Sequence, residues 1–194
     1  MAEQINVVQE EPDKILRVNK WKFITWLFII SIVMLFASQT SAYLVRRAEG
    51  NWMEFTVPVI FYYSTAVLIL SSLFLHLAYL SAKKDNFAQL KTFISVAFGA
   101  GIVFLIMQYY GWQDLQAQGV FLKGNPSGSF FYVLTGLHGF HLITGLFVIL
   151  FAFVAAFRSE INAKQLNQLE VCNTYWHFLD LLWVYLFVFL LYFR

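Results

Sequence analysis

Residues 129–157 read SFFYVLTGLHGFHLITGLFVILFAFVAAF. This run is apolar for longer than the roughly 20 residues an α-helix needs to cross the hydrocarbon core of a bilayer. It nevertheless carries two histidines, His138 and His141, near its middle. A second run, residues 175–193, reads YWHFLDLLWVYLFVFLLYF and holds His177 and Asp180. The rest of the chain reads as what is needed to hold these two helices in a membrane.

Composition supports that reading. The chain has 194 residues, 60% apolar and 20% aromatic, and only 12% are charged. A water-soluble domain carries about twice that charged fraction. The surrounding solvent must therefore be lipid. A net charge of +2, scattered along the chain, is too small to suggest nucleic acid, and none is expected as a partner. The single cysteine, Cys172, allows neither an intramolecular disulfide nor a cysteine-based metal cage.

Five apolar segments are long enough to span, at residues 23–44, 56–80, 92–112, 130–157 and 171–193. In lipid the backbone must satisfy itself within a helix or a closed barrel. Continuous apolar runs without period-2 alternation mean helices. The expected fold is all-α: a single bundle of five transmembrane helices over residues 23–194, preceded by a polar tail at 1–22. Thr40, Ser41 and Ala42 mimic a signal cleavage site, but the run at 23–44 is longer than the apolar region of a signal peptide. The loop at 113–129 is marked by Gly119, Gly124, Asn125 and Pro126. The polar stretch 158–170 is expected to extend the fifth helix or to run along the interface.

Orientation follows from Lys and Arg in the loops. Nine fall in the tail, second loop and fourth loop (Lys14, Arg17, Lys20, Lys22, Lys83, Lys84, Lys91, Arg158, Lys164). Four fall on the other side (Arg46, Arg47, Lys123, Arg194). The N-terminus is expected in the cytoplasm and the C-terminus in the periplasm.

Small residues mark helix contacts. Ala97 and Gly101 are four apart on the third helix, and Thr135 and Gly139, then Gly145, repeat the device on the fourth. Such pairs let backbones approach. Trp21, Trp26, Trp52, Trp112 and Tyr192 lie near segment ends, where aromatic belts form.

All four histidines, His76, His138, His141 and His177, lie in or at the segments, and Asp180 is the one acid deep in a segment. Ionisable groups at such depth are costly unless paired or hydrated. His138 and His141 are i and i+3, as are His177 and Asp180, so each pair shares a helix face. Three readings follow. A metal or heme site would use histidine ligands, but the Glu-x-x-His motifs of bundle di-iron sites are absent. A proton or ion relay could run through Asp180, but broken helices and repeats are absent. The third reading is a buried polar network pinning the fourth helix to the fifth, with Asp180 accepting from a histidine N–H.

At these residues the chain resembles subunit III of the heme–copper respiratory oxidases. Phe131, Leu134, Thr135, Gly136, Leu137, His138, Gly139, Phe140 and His141, with Gly145, match the family pattern F-x-x-x-T-G-x-H-G-x-H followed by a glycine. Trp176, His177, Phe178, Asp180 and Trp183 match its W-H-F-x-D-x-x-W. Phe98, Gly99, Ala100 and Gly101 resemble the five-helix members. The resemblance implies a chain without catalytic residues and without its own cofactor. Heme and copper would reside in partner subunits, oxygen being reduced in subunit I. This chain would pack directly on subunit I, alongside subunit II and others, in a bacterial inner membrane, and a respiratory supercomplex would be a further assembly open to it. It would hold structural phospholipid and help sustain proton uptake. His138, His141, His177 and Asp180 would be structural, as would Trp176 and Trp183, packed against a neighbouring helix or subunit. Two departures stand out: the first helix lacks the acid many members carry, with Ser31 near that place, and Tyr109–Tyr110 replaces a Glu–aromatic pair. The alternatives are a quinol oxidase subunit III, or a freestanding membrane oxidoreductase or transporter using the His/Asp cluster directly.

Overall fold

The computed structural model describes residues 19–158 and 163–193. They form five α-helices: α1 Lys20–Ala48, α2 Ile60–Lys83, α3 Phe87–Ala117, α4 Pro126–Arg158 and α5 Ala163–Phe193. There is no strand among the described residues. All five helices are long and apolar enough to cross a membrane.

The helices outrun most of the apolar segments that announce them. Their lengths are 29, 24, 31, 33 and 31 residues. Apolarity marks only the part inside hydrocarbon, whereas helix hydrogen bonding continues into the interface until a side chain or glycine stops it. Thus α1 begins within the expected tail, where Asn19 Oδ1 accepts from Trp21 N at 3.1 Å. The part of that tail at residues 1–18 lies outside the described residues. At α3, Asn86 Oδ1 caps the amide of Gln89 at 3.3 Å. At α4, Asn125 Oδ1 accepts from Ser127 N at 2.9 Å, just after Pro126 opens the helix. Such caps satisfy amides that have no partner inside the helix. The start of α2 moves the other way, from the expected Thr56 to Ile60. Pro58 intervenes; it has no N–H and disfavours the helical conformation in the residue before it. The polar stretch before the fifth span divides: α5 takes it up from Ala163, and residues 159–162 lie outside the described residues.

Helices α2, α3, α4 and α5 form a ring in which each touches the next and α5 closes on α2. Helix α1 lies outside the ring, against α4 and α5 only. Polar side chains join neighbours. Gln108 Nε2 of α3 donates to Ser64 Oγ of α2 at 3.1 Å. Trp112 Nε1 of α3 donates to Thr135 Oγ1 of α4 at 3.1 Å. Tyr175 of α5 and Thr144 of α4 share a hydroxyl–hydroxyl bond of 2.9 Å. On the α1 side, Tyr43 donates to the Phe193 carbonyl at 3.1 Å, and Lys22 Nζ meets Glu170 Oε1 at 2.7 Å. Lipid offers neither water nor a hydrophobic drive between helices, so such bonds and tight packing hold the bundle.

Candidate functional site

Trp176 of α5 is fully buried where α3, α4 and α5 meet. Two glycines make room for it. A Cβ on Gly101 of α3 would stand 2.8 Å from Trp176 Cη2 and 2.8 Å from Leu146 Cδ2. A Cβ on Gly145 of α4 would stand 3.1 Å from Trp176 Cε3 and 2.9 Å from Leu179 Cδ1. One indole is therefore wedged between two glycine notches, and three helices interlock there. Ala97, one turn before Gly101, is fully buried, and its carbonyl accepts from Ser71 Oγ of α2 at 2.9 Å. Thr135 is buried, accepting from Trp112 as above and donating to the Phe131 carbonyl at 2.8 Å. Gly139 differs: a Cβ there would meet nothing within 4 Å, so this glycine opens no notch for another helix of the chain.

Trp183 stands two turns beyond Trp176 on α5. Its Nε1 donates to Thr65 Oγ1 of α2 at 2.9 Å, and its ring meets Phe104 of α3 edge-on at 5.1 Å. His138 of α4 is fully buried against that indole, 4.9 Å between ring centroids, and 6.1 Å from Phe104. Neither of its ring nitrogens has a hydrogen-bond partner among the described residues.

The other three groups diverge. His141 turns toward α1, its ring 5.7 Å from Phe36 and 6.5 Å from Phe28. Its Nδ1 lies 2.7 Å from the Leu137 carbonyl, and a carbonyl only accepts, so Nδ1 carries the proton. His177 turns toward α2, where its Nδ1 bonds Ser72 Oγ and its ring lies 5.7 Å from His76. Asp180 is buried beside Ser72 of α2, and among the described residues neither carboxylate oxygen has a hydrogen-bond partner of good geometry. The expected Asp180–histidine bond between α4 and α5 is thus not formed. Helical geometry gives the reason. Residues i and i+3 differ by about 60° around the axis at 3.6 residues per turn. In a ring of helices that angle separates one neighbour from the next, so His138 and His141 share a face loosely and reach different partners. The α4–α5 contact is made by Tyr175–Thr144 and by Trp176 against Gly145 instead.

Sequence reasoning passed over Ser72, Thr65 and Gln108, and gave Tyr175 a place in the motif without a partner. The signal was faint: a hydroxyl in a spanning helix usually bonds its own backbone, as Ser31 does to Leu27 O at 3.0 Å. Only packing shows which hydroxyls cross between helices. Among the described residues, no group of three or more His, Cys, Asp or Glu is placed to hold a metal ion.

The family model described as cytochrome c oxidase subunit III matches residues 13–194. A probable cytochrome c oxidase subunit 3 of Nocardia farcinica is 31% identical over 173 residues, covering 84% of this chain and 83% of the relative. A cytochrome c oxidase subunit 3 of Thermostichus vulcanus is 33% identical over 171 residues, covering 84% of this chain and 82% of its own length. One from Bacillus sp. strain PS3 is 29% identical over 167 residues, covering 84% and 80%. Five spanning helices and bacterial relatives of this kind make the chain a multi-pass protein of a bacterial inner membrane. The fold, the two histidine motifs that α4 and α5 present to their neighbours, and the match along nearly the whole length together place this chain in the cytochrome c oxidase subunit III family.

Proposed function

We propose that this chain is the accessory, cofactor-free subunit III of a proton-pumping terminal oxidase of the cytochrome c type. Oxygen is reduced to water in subunit I, at a heme–copper centre this chain does not contribute to. Subunit III stabilises that catalytic subunit, holds phospholipid at its surface and sustains proton uptake over many turnovers. It acts as one domain with its N-terminus in the cytoplasm. His138, His141, His177 and Asp180 serve structure and subunit contact, and no residue of the chain touches oxygen or the electron donor.

The observation that carries this reading is what the motif residues touch. Trp176 fills glycine notches, Trp183 donates to Thr65, His177 bonds Ser72, and His138 lies against an indole. A catalytic or relay site would converge its ionisable groups on one space. Here His141 faces α1 and His138 lies among aromatic rings, while only His76 and His177 come together, beside Ser72 between α2 and α5. That suits a scaffold.

The test is purification through a tag on this chain in mild detergent, followed by an optical spectrum and metal analysis. Heme absorption and copper should arrive with a larger co-purifying subunit and vanish when the chain is separated from it. Stoichiometric iron or copper on the separated chain would overturn the reading. Oxidation of reduced cytochrome c by the intact complex, against oxidation of a quinol, decides the donor.

A further inference from the structure

Where α1 ends and α4 begins, a groove of about 770 Å³ opens between the two helices. That is within the volume range of small-ligand sites. Ser41, Val45, Arg46 and Glu49 line one wall; Ser129 and Phe130 line the other. The loop after α1 is tied to the start of α4, since Asn125 Nδ2 donates to Asn51 O at 3.1 Å and Met53 N donates to Asn125 Oδ1 at 3.3 Å. The rim of the groove is therefore fixed by the Asn125 side chain.

Its charges are arranged in a particular way. Arg46 Nη1 lies 3.0 Å from Glu49 Oε2 and 3.4 Å from the Gly50 carbonyl. Both contacts use the same nitrogen, which leaves the other edge of the guanidinium for a ligand. The pair sits within one turn and joins no second helix, unlike Lys22–Glu170, which ties α1 to α5. An exposed pair of this kind adds little to stability, about 0–1 kcal/mol. Its position is more informative. It stands at the end of a spanning helix, where hydrocarbon gives way to headgroups. Apolar Val45 and Phe130 lie along the groove beside it. The positive end of the α4 dipole faces the same space and favours a phosphate.

A lone arginine would take any phosphate. An arginine with a glutamate beside it presents a plus and a minus side by side, the complement of a phosphate joined to an ammonium. We propose that this groove holds a phospholipid with a phosphoethanolamine headgroup. Its phosphate meets the free edge of Arg46, its ammonium donates to Glu49, and its chains run over Val45 and Phe130. A primary ammonium makes charge-assisted hydrogen bonds to a carboxylate, whereas a trimethylammonium has no N–H to donate. The inference rests on the phospholipid-holding part of the function proposed above and adds the headgroup and the place.

The experiment uses the intact tagged complex. It is equilibrated with vesicles of equimolar phosphatidylethanolamine, phosphatidylglycerol and phosphatidylcholine, solubilised and washed, and the retained lipid is counted by mass spectrometry. Phosphatidylethanolamine should be enriched about two- to fivefold over its bulk share, the ratio an exposed charge pair supports. Glu49→Gln should abolish that enrichment and raise phosphatidylglycerol, because Arg46 then stands alone. Arg46→Gln should lower both, and Val45→Trp should displace lipid of any headgroup. Glu49→Gln alters an exposed side chain at a helix end, so its result does not depend on refolding the bundle. Retained lipid of bulk composition, enrichment of phosphatidylglycerol or phosphatidylcholine in the unmodified complex, or an unchanged ratio in Glu49→Gln would each overturn the proposal. Any of these, with lipid still bound, leaves phospholipid holding intact. Loss of heme and copper from the preparation would instead strike at the oxidase assignment.

Discussion

The glycine notch at Gly101 offers a quantitative test of how the bundle is held. Gly101→Ala adds a methyl group 2.8 Å from both Trp176 Cη2 and Leu146 Cδ2. Leu146 can turn away, since its Cδ2 is the end of a flexible side chain. Trp176 cannot, because Gly145 stops its ring on the other side, with a Cβ site 3.1 Å from Cε3. Overpacking of this kind costs about 1–3 kcal/mol. Gly→Ala in a helix also returns about 0.5–1 kcal/mol of backbone entropy. Gly139→Ala calibrates that gain, since its Cβ would meet nothing within 4 Å. The difference between the two variants isolates the clash. Trp176→Phe removes the far edge of the indole and leaves a void; it should cost about 2 kcal/mol, less than the 3–5 kcal/mol of a full truncation. The double variant Gly101→Ala/Trp176→Phe puts the new methyl into that void. It should be less destabilised than the sum of the singles by at least about 1 kcal/mol, well beyond the scatter of independent sites. The assay is unfolding of the purified protein by dodecyl sulfate in mixed micelles, followed by helical circular dichroism. Equal stability of Gly101→Ala and Gly139→Ala, or strict additivity in the double variant, would refute the wedge.

Three further outcomes are expected. His177→Ala or Ser72→Ala breaks the α5–α2 bond; by the usual value of a hydrogen bond in a membrane, about 0.6–2 kcal/mol, each should lower retention of this subunit in the complex, read as the heme-to-subunit ratio after repeated washing. Trp183→Phe keeps the ring but loses the 2.9 Å bond to Thr65; adding Thr65→Val, which removes the orphaned hydroxyl, should recover part of the loss in the same unfolding assay. Ser31→Ala should leave proton pumping in reconstituted vesicles unchanged, because the hydroxyl serves its own backbone at Leu27 O and the position has no carboxyl group to lose.

Legibility was uneven for definite reasons. Five apolar runs specified five helices because in lipid a spanning segment has almost no other option. Their ends were misjudged by several residues because capping by Asn19 and Asn86, and the stop at Pro58, are local polar events that apolarity does not register. The two motifs picked out the helices that meet at the centre. They did not reveal that Trp176 is the wedge, because its importance comes from Gly101 and Gly145 on two other helices. The small-residue pattern placed Gly101 and Gly139 alike, yet only Gly101 has a side chain from another helix lying against it. Spacing alone tells which face a residue is on, not what stands opposite.

By itself, then, the sequence determined the class of solvent, the number and order of the spans, and the family. All three follow from composition and from residues close together in the chain. Tertiary structure alone decided the partner of each buried group. His177 meets Ser72 across more than a hundred residues of chain, and Trp183 meets Thr65 likewise. Asp180, expected to accept from a histidine, has no histidine partner among the described residues. The physical reason is angular. A helix can send side chains only three positions apart toward different neighbours, as with His138 and His141, and which neighbour stands there is settled when all five helices pack at once.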